Sequence, residues 1–148
     1  MKKTLFVILA TISVAASAVE VGITGSNTQT ANRYGYGINV SKNLSGIDFI
    51  AGLTQFYRES DHQTRFSLTA SKEVFKLGKM GFSGRIGSGY LINQQAEDGL
   101  IGTIGVGANL PINKTVSFGV SVDRQYGQDK INSFDGNIVT AGFKFGFN

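Results

Sequence analysis

From residue 19 to residue 147 the chain alternates apolar with polar or small side chains, segment after segment, with turn-forming clusters between. A period of two belongs to extended backbone, where neighbouring side chains point to opposite faces of a sheet. The final stretch shows it best. Phe143, Phe145 and Phe147 fall on one face, and Thr140, Gly142, Lys144 and Gly146 on the other. The alternating segments are 19–27, 34–43, 47–58, 64–74, 80–92, 99–110, 115–126 and 137–147. No helical period competes with them, so the chain is expected to be all-β with about eight strands.

The N-terminus has a different character. Met1-Lys2-Lys3 precedes an apolar run from Leu5 to Ala16, and Ala16-Ser17-Ala18 forms an A-x-A site. A basic start, a short apolar core and small residues at the cleavage point are the parts of a secretory signal. The run is shorter than the roughly 20 apolar residues of a spanning helix. The expected division is a signal peptide at 1–18 and a single domain at 19–148. Losing Lys2 and Lys3 lowers the formal charge from +4 to +2, and the remaining basic residues are scattered. Nucleic acid is therefore not an expected partner. There are no cysteines, which excludes disulfides, thiolate metal sites and a cysteine nucleophile. Glycine is abundant at 20 while proline occurs once, at Pro111, a balance that suits curved sheets better than disorder.

The connections differ in kind. Asn43–Gly46, Phe75–Lys79 and Pro111–Lys114 are short turns, whereas those near 28–33, 59–63, 93–98 and 127–136 are more polar and mostly longer. Short turns at one end and longer loops at the other are the asymmetry of an up-and-down barrel in a membrane. Alternation alone would also fit a soluble sandwich. The aromatics separate the two. Tyr34, Tyr36, Tyr57, Tyr90 and Tyr126 all fall at the loop ends of their segments, and Phe49, Phe82, Phe118, Phe145 and Phe147 at the turn ends. Two aromatic rings flanking aliphatic residues are what two lipid–water interfaces favour. A closed antiparallel transmembrane barrel is the expected fold.

The chain resembles the small eight-stranded outer-membrane barrels of the outer-membrane protein A and opacity type. The most specific piece is Thr140-x-Gly142-x-x-Phe145-x-Phe147, similar to the C-terminal signal read by the barrel assembly machinery. Family members end on the aromatic, whereas Asn148 follows here. The resemblance implies a cell outer-membrane location in a Gram-negative envelope, contact with outer-membrane lipid and lipopolysaccharide, and passage through that machinery. A monomer without cofactor or metal is expected.

An interior this narrow is just wide enough for its own side chains. The inward parity carries Glu20, Asp48, Arg65, Glu73, Arg85, Asp123 and Lys144, with both signs intermixed. Unpaired buried ions are costly, so these residues are expected to pair as a salt-bridge plug in a polar interior. The function that follows is structural, or recognition through short loops, without enzymatic activity. One alternative is a narrow porin or ion channel in which the pairs exchange partners. Another is a lipid-modifying enzyme, for which the single histidine, His62, beside Ser60 and Asp61, would be the candidate. Sequence neighbours rarely adopt triad geometry, so His62 reads as a solvated loop residue. The strings Gly84–Gly89 and Gly102–Gly107 lack the order and the strand-to-helix setting of phosphate loops. Lys72 and Arg124 take the outward parity near opposite rims, where Arg124 is expected to meet lipopolysaccharide phosphate.

Overall fold

A computed structural model describes residues 19–29, 32–58, 61–93, 98–127 and 136–147. Residues 1–18, where a signal peptide is expected, Ser60 and most of the longer loops lie outside the described residues. Eight strands follow in order: β1 Val19–Thr28, β2 Arg33–Leu44, β3 Ile47–Arg58, β4 Asp61–Leu77, β5 Met80–Asn93, β6 Gly99–Pro111, β7 Val116–Gly127 and β8 Gly136–Phe147. Each pairs antiparallel with its sequence neighbours, and β8 returns to β1 to close a barrel. Along that seam Val19 faces Phe147 and Thr28 faces Ile138.

The alternation of the sequence becomes two surfaces. Ile23 pairs with Ile38, Ile38 with Leu53, Leu53 with Phe66 and Phe66 with Tyr90, an apolar row around the outer wall. One residue away, Gly22, Asn39, Gly52, Ser67 and Gly89 form a small and polar row within. The outer row has no protein to pack against. Ile23 is 60% exposed, Ile38 59%, Ile86 63% and Val106 64%. A water-soluble sandwich would have covered these side chains, because large contiguous apolar surface is rare on soluble monomers.

Backbone chemistry sets the short turns. Ser45 and Gly46 both take positive φ (53° and 82°), as a two-residue type I′ hairpin turn requires. Asn43 stabilises that corner by accepting the Gly46 N–H at 3.1 Å. Asn113 does the same at the β6–β7 turn, accepting from the Thr115 and Val116 N–H groups at 2.8 Å each. The β4–β5 turn is shorter than the sequence indicates. Phe75–Leu77 belong to β4, and only Gly78 and Lys79 remain to turn the chain. The cause is a β-bulge between Glu73 and Phe75, where Val74 is inserted and the register shifts. After it, Phe75 returns to the outer wall and stacks on Phe82, with ring centroids 4.6 Å apart and planes 11° apart. A bulge inverts the parity of everything beyond it, so a period-of-two reading stops there.

Candidate functional site: the lumen and its two rims

All seven predicted interior ions lie on the inward parity, but they do not form one plug. Near mid-lumen, Arg85 Nε donates to Asp123 Oδ1 at 3.0 Å, with side chains 20% and 13% exposed. Ser121 Oγ donates to the other carboxylate oxygen at 3.1 Å. The wall is thinned to admit the pair. A Cβ at Gly105 would collide with the Asp123 carboxylate, and one at Gly107 would lie 3.2 Å from Arg85 Cδ. Closer to the turns, Lys144 Nζ lies 3.7 Å from Glu20 Oε2, which also accepts from Ser41 Oγ at 3.2 Å.

Asp48 and Glu73 engage local partners. Asp48 accepts from the Asn43 side chain at 2.6 Å across its own hairpin. Glu73 pairs at 3.4 Å with Lys76 just beyond the bulge, both about half exposed. Arg65 stands apart from these pairs, its guanidinium carbon 5.2 Å from the centre of the Phe56 ring. Around Glu20, Asp48, Glu73, Arg85, Lys144 and Asn39 the lumen opens as a cavity of about 240 Å³ at the turn end.

The loop-end half is built differently. Phe56 and Leu91 are each 2% exposed, Ile101 4% and Ile138 2%, all on the inward parity. They come from β3, β5, β6 and β8, with Phe56 directly opposite Gln63 and Leu91 directly opposite Arg65. The expected polar interior is thus qualified: the turn-end half is polar, while in the loop-end half these four apolar side chains share the lumen with buried Ser26, Thr54, Gln63, Arg65 and Gln125. These four residues are missing from a sort by polarity because each sits beside another apolar or aromatic residue. Phe56 precedes Tyr57, Leu91 follows Tyr90, Ile101 follows Leu100 and Ile138 precedes Val139. A polar-against-apolar contrast does not show which member of such a pair turns inward. The parity of Thr54, Gly89, Thr103 and Thr140 does.

At the loop-end rim, Tyr34, Tyr36, Tyr57, Tyr90 and Tyr126 are all exposed on the outer wall. His62 meets Tyr57 edge-on, with centroids 5.1 Å apart. Arg124 lies over Tyr126, 5.7 Å from the ring centre. At the opposite rim Phe49, Phe82, Phe118, Phe145 and Phe147 share the outward parity. Phe143 joins them, tilted against Phe118 at 5.2 Å. Lys42 is a further outward cation, beside Phe49, which the sequence reading had not placed.

No protein-family model and no curated protein sequence matches the chain. Solved structures do match its fold. Neisserial surface protein A superposes with a TM-score of 0.62 at 9% identity, over 88% of this chain and 95% of its own. The Yersinia pestis outer-membrane protein Ail, determined in a phospholipid nanodisc, gives 0.58 at 11%, over 88% and 99%. The outer-membrane enzyme PagL gives 0.57 at 15%, over 86% and 98%. The chain therefore has the fold of the small outer-membrane barrels, and it spans nearly the whole of each.

Proposed function

We propose that this chain is a non-enzymatic, non-conducting barrel of the bacterial outer membrane, with a structural or surface-recognition role. The observation that carries the closed state is the collar of Phe56, Leu91, Ile101 and Ile138, four nearly inaccessible apolar side chains on the inward parity of the loop-end lumen. Hydrocarbon constrictions dewet and block ions. The membrane setting is supported by the exposed aliphatic wall and the aromatics at its two edges. Both termini emerge at the turn end, the periplasmic side in such barrels, leaving the longer loops to face outward.

Planar-bilayer recording of the refolded protein tests the reading. The expected trace shows no stepwise openings, whereas reproducible unitary steps in the wild type would make it a narrow channel. Replacing both Phe56 and Leu91 with alanine should introduce openings by removing half of the collar.

Two partners belong to the proposal. Arg124, outward beside Tyr126 in the loop-end third of β7, is placed to meet lipopolysaccharide phosphate. Thr140, Gly142, Phe145 and Phe147 form the segment that the assembly machinery would read. Phe147 is 61% exposed and contributes little to the protein's own packing. Phe147→Gln should therefore reduce the amount of barrel assembled in cells by severalfold while leaving refolding into detergent unchanged. Equal loss in both settings would make Phe147 a packing residue only.

A further inference from the structure

Among the described residues, three buried hydrogen-bond donors on the inner face of β4 and β5 have no acceptor. They are Arg65 Nε, Gln63 Nε2 and Asn93 Nδ2. Gln63 is 3% exposed and Arg65 9%. Register places them together: Gln63 stands directly opposite Asn93, and Arg65, opposite Leu91, comes two residues deeper on the same face. Directly opposed residues have Cβ atoms about 5 Å apart and diagonal ones about 7–8 Å, within reach of long side chains. Orphaned buried donors are rare in native structures, and each calls for an occupant such as water or an ion.

The chemistry of this cluster selects the occupant. Arg65 brings a guanidinium, which has donors only and matches oxyanions, and the two amides offer further N–H groups. Two carboxylates of the described residues near the cluster are already engaged. Asp123 holds Arg85 and Ser121, and Asp98 at the rim accepts the Asn93 backbone N–H at 2.8 Å. Phe56, directly opposite Gln63, lies under the Arg65 guanidinium and keeps water from its face. The geometry points to an oxyanion site in the loop-end lumen, level with Phe56 and Leu91, built by Arg65, Gln63 and Asn93. Its ligand is a small phosphate or carboxylate group. The site depends on the fold and not on whether the barrel conducts.

The test uses the refolded full-length mature chain in detergent, titrated with inorganic phosphate and followed through the Arg65 Nε–H and Gln63 side-chain amide NMR signals. Saturable movement of both signals is expected in the wild type. Gln63→Leu removes one donor and should weaken binding about tenfold, the loss expected for one charge-assisted hydrogen bond. Gln63→Glu places an acceptor beside Arg65 from within; it should fold, raise the unfolding temperature and abolish the response. A parallel titration with lipopolysaccharide distinguishes sources. Movement with phosphate alone identifies a free solute, and movement only with lipopolysaccharide identifies a lipid-borne phosphate. If both signals stay fixed in a folded protein under either titrant, the donors are satisfied by water and the site does not exist. A response that survives unchanged in Gln63→Glu would overturn the assignment equally.

Discussion

Gly142→Val should yield no folded barrel. Gly142 lies on the inner face of β8, opposite Thr24 of β1 and Gly119 of β7. A Cβ there would press on the carbonyl oxygen of Ile23 and lie 2.8 Å from Thr24 Cγ2 and 2.9 Å from Thr24 Cα. Two of those three atoms are backbone in the strand that closes the cylinder, so they cannot swing aside as a flexible side chain can. Overpacking a close contact costs about 1–3 kcal/mol where a core can shift. Here the shift would part the β1–β8 ladder, and the loss extends to closure itself.

Refolding purified Gly142→Val into detergent and comparing unboiled with boiled gel mobility checks this. The expected pattern is one unfolded band under both conditions. Gly119→Ala is the control, because a Cβ there meets only Asn109 Oδ1 at 3.6 Å and Ala108 O at 3.7 Å, ordinary contacts. It should fold as the wild type does. Refolding in detergent involves no assembly machinery, so failure would give the glycine of the C-terminal segment a packing reason independent of recognition. A wild-type folded band for Gly142→Val would show that the seam tolerates a side chain.

The second large effect is expected at Asp123. Asp123→Ala strands the Arg85 guanidinium in mid-lumen and leaves Ser121 Oγ without its acceptor. Breaking a buried pair by deleting one member typically costs about 3–5 kcal/mol, because the remaining charge is left uncompensated. The lower part of that range is expected, since Arg85 borders the turn-end cavity, where water can reach it. Replacing both partners, Arg85→Met with Asp123→Leu, should recover most of the loss, as apolar replacements of similar volume often do. Urea unfolding in lipid vesicles of wild type, Arg85→Met, Asp123→Leu and the double variant, with Asp123→Ala alongside, measures the coupling. Equal stability of wild type and Asp123→Ala would show that the pair contributes nothing.

Strand number, order and the outward ring of aromatics were legible because each rests on parity, which the backbone enforces wherever it stays regular. Legibility ended at Val74, where one inserted residue moved Phe75, Lys76 and Leu77 from an expected turn into β4. The interior was readable only where polar residues marked it. Arg85 precedes Ile86 and Asp123 follows Val122, both outward, and their inward position follows from that alternation. Phe56, Leu91, Ile101 and Ile138 are masked by equally apolar neighbours, so the apolar share of the loop-end lumen could not be read. Pairing lies beyond parity altogether. Seven charges share one face, but cross-strand register decides which meet. That register brings Arg85 level with Gly105 and Gly105 level with Asp123, so the two charges face each other across a residue without a side chain.

The β1–β8 seam also bears on when the molecule can form. Val19 finds its partner in Phe147, at the far end of the described chain, and no strand between them can substitute for it. Pairings this distant in sequence slow folding because the ends must meet before the contact rewards them. A chain still emerging, with β8 unfinished, has two open edges and no cylinder. Closure is thus held back until β8 is available, and until then the apolar outer segments have neither a closed ladder nor a cylinder behind them.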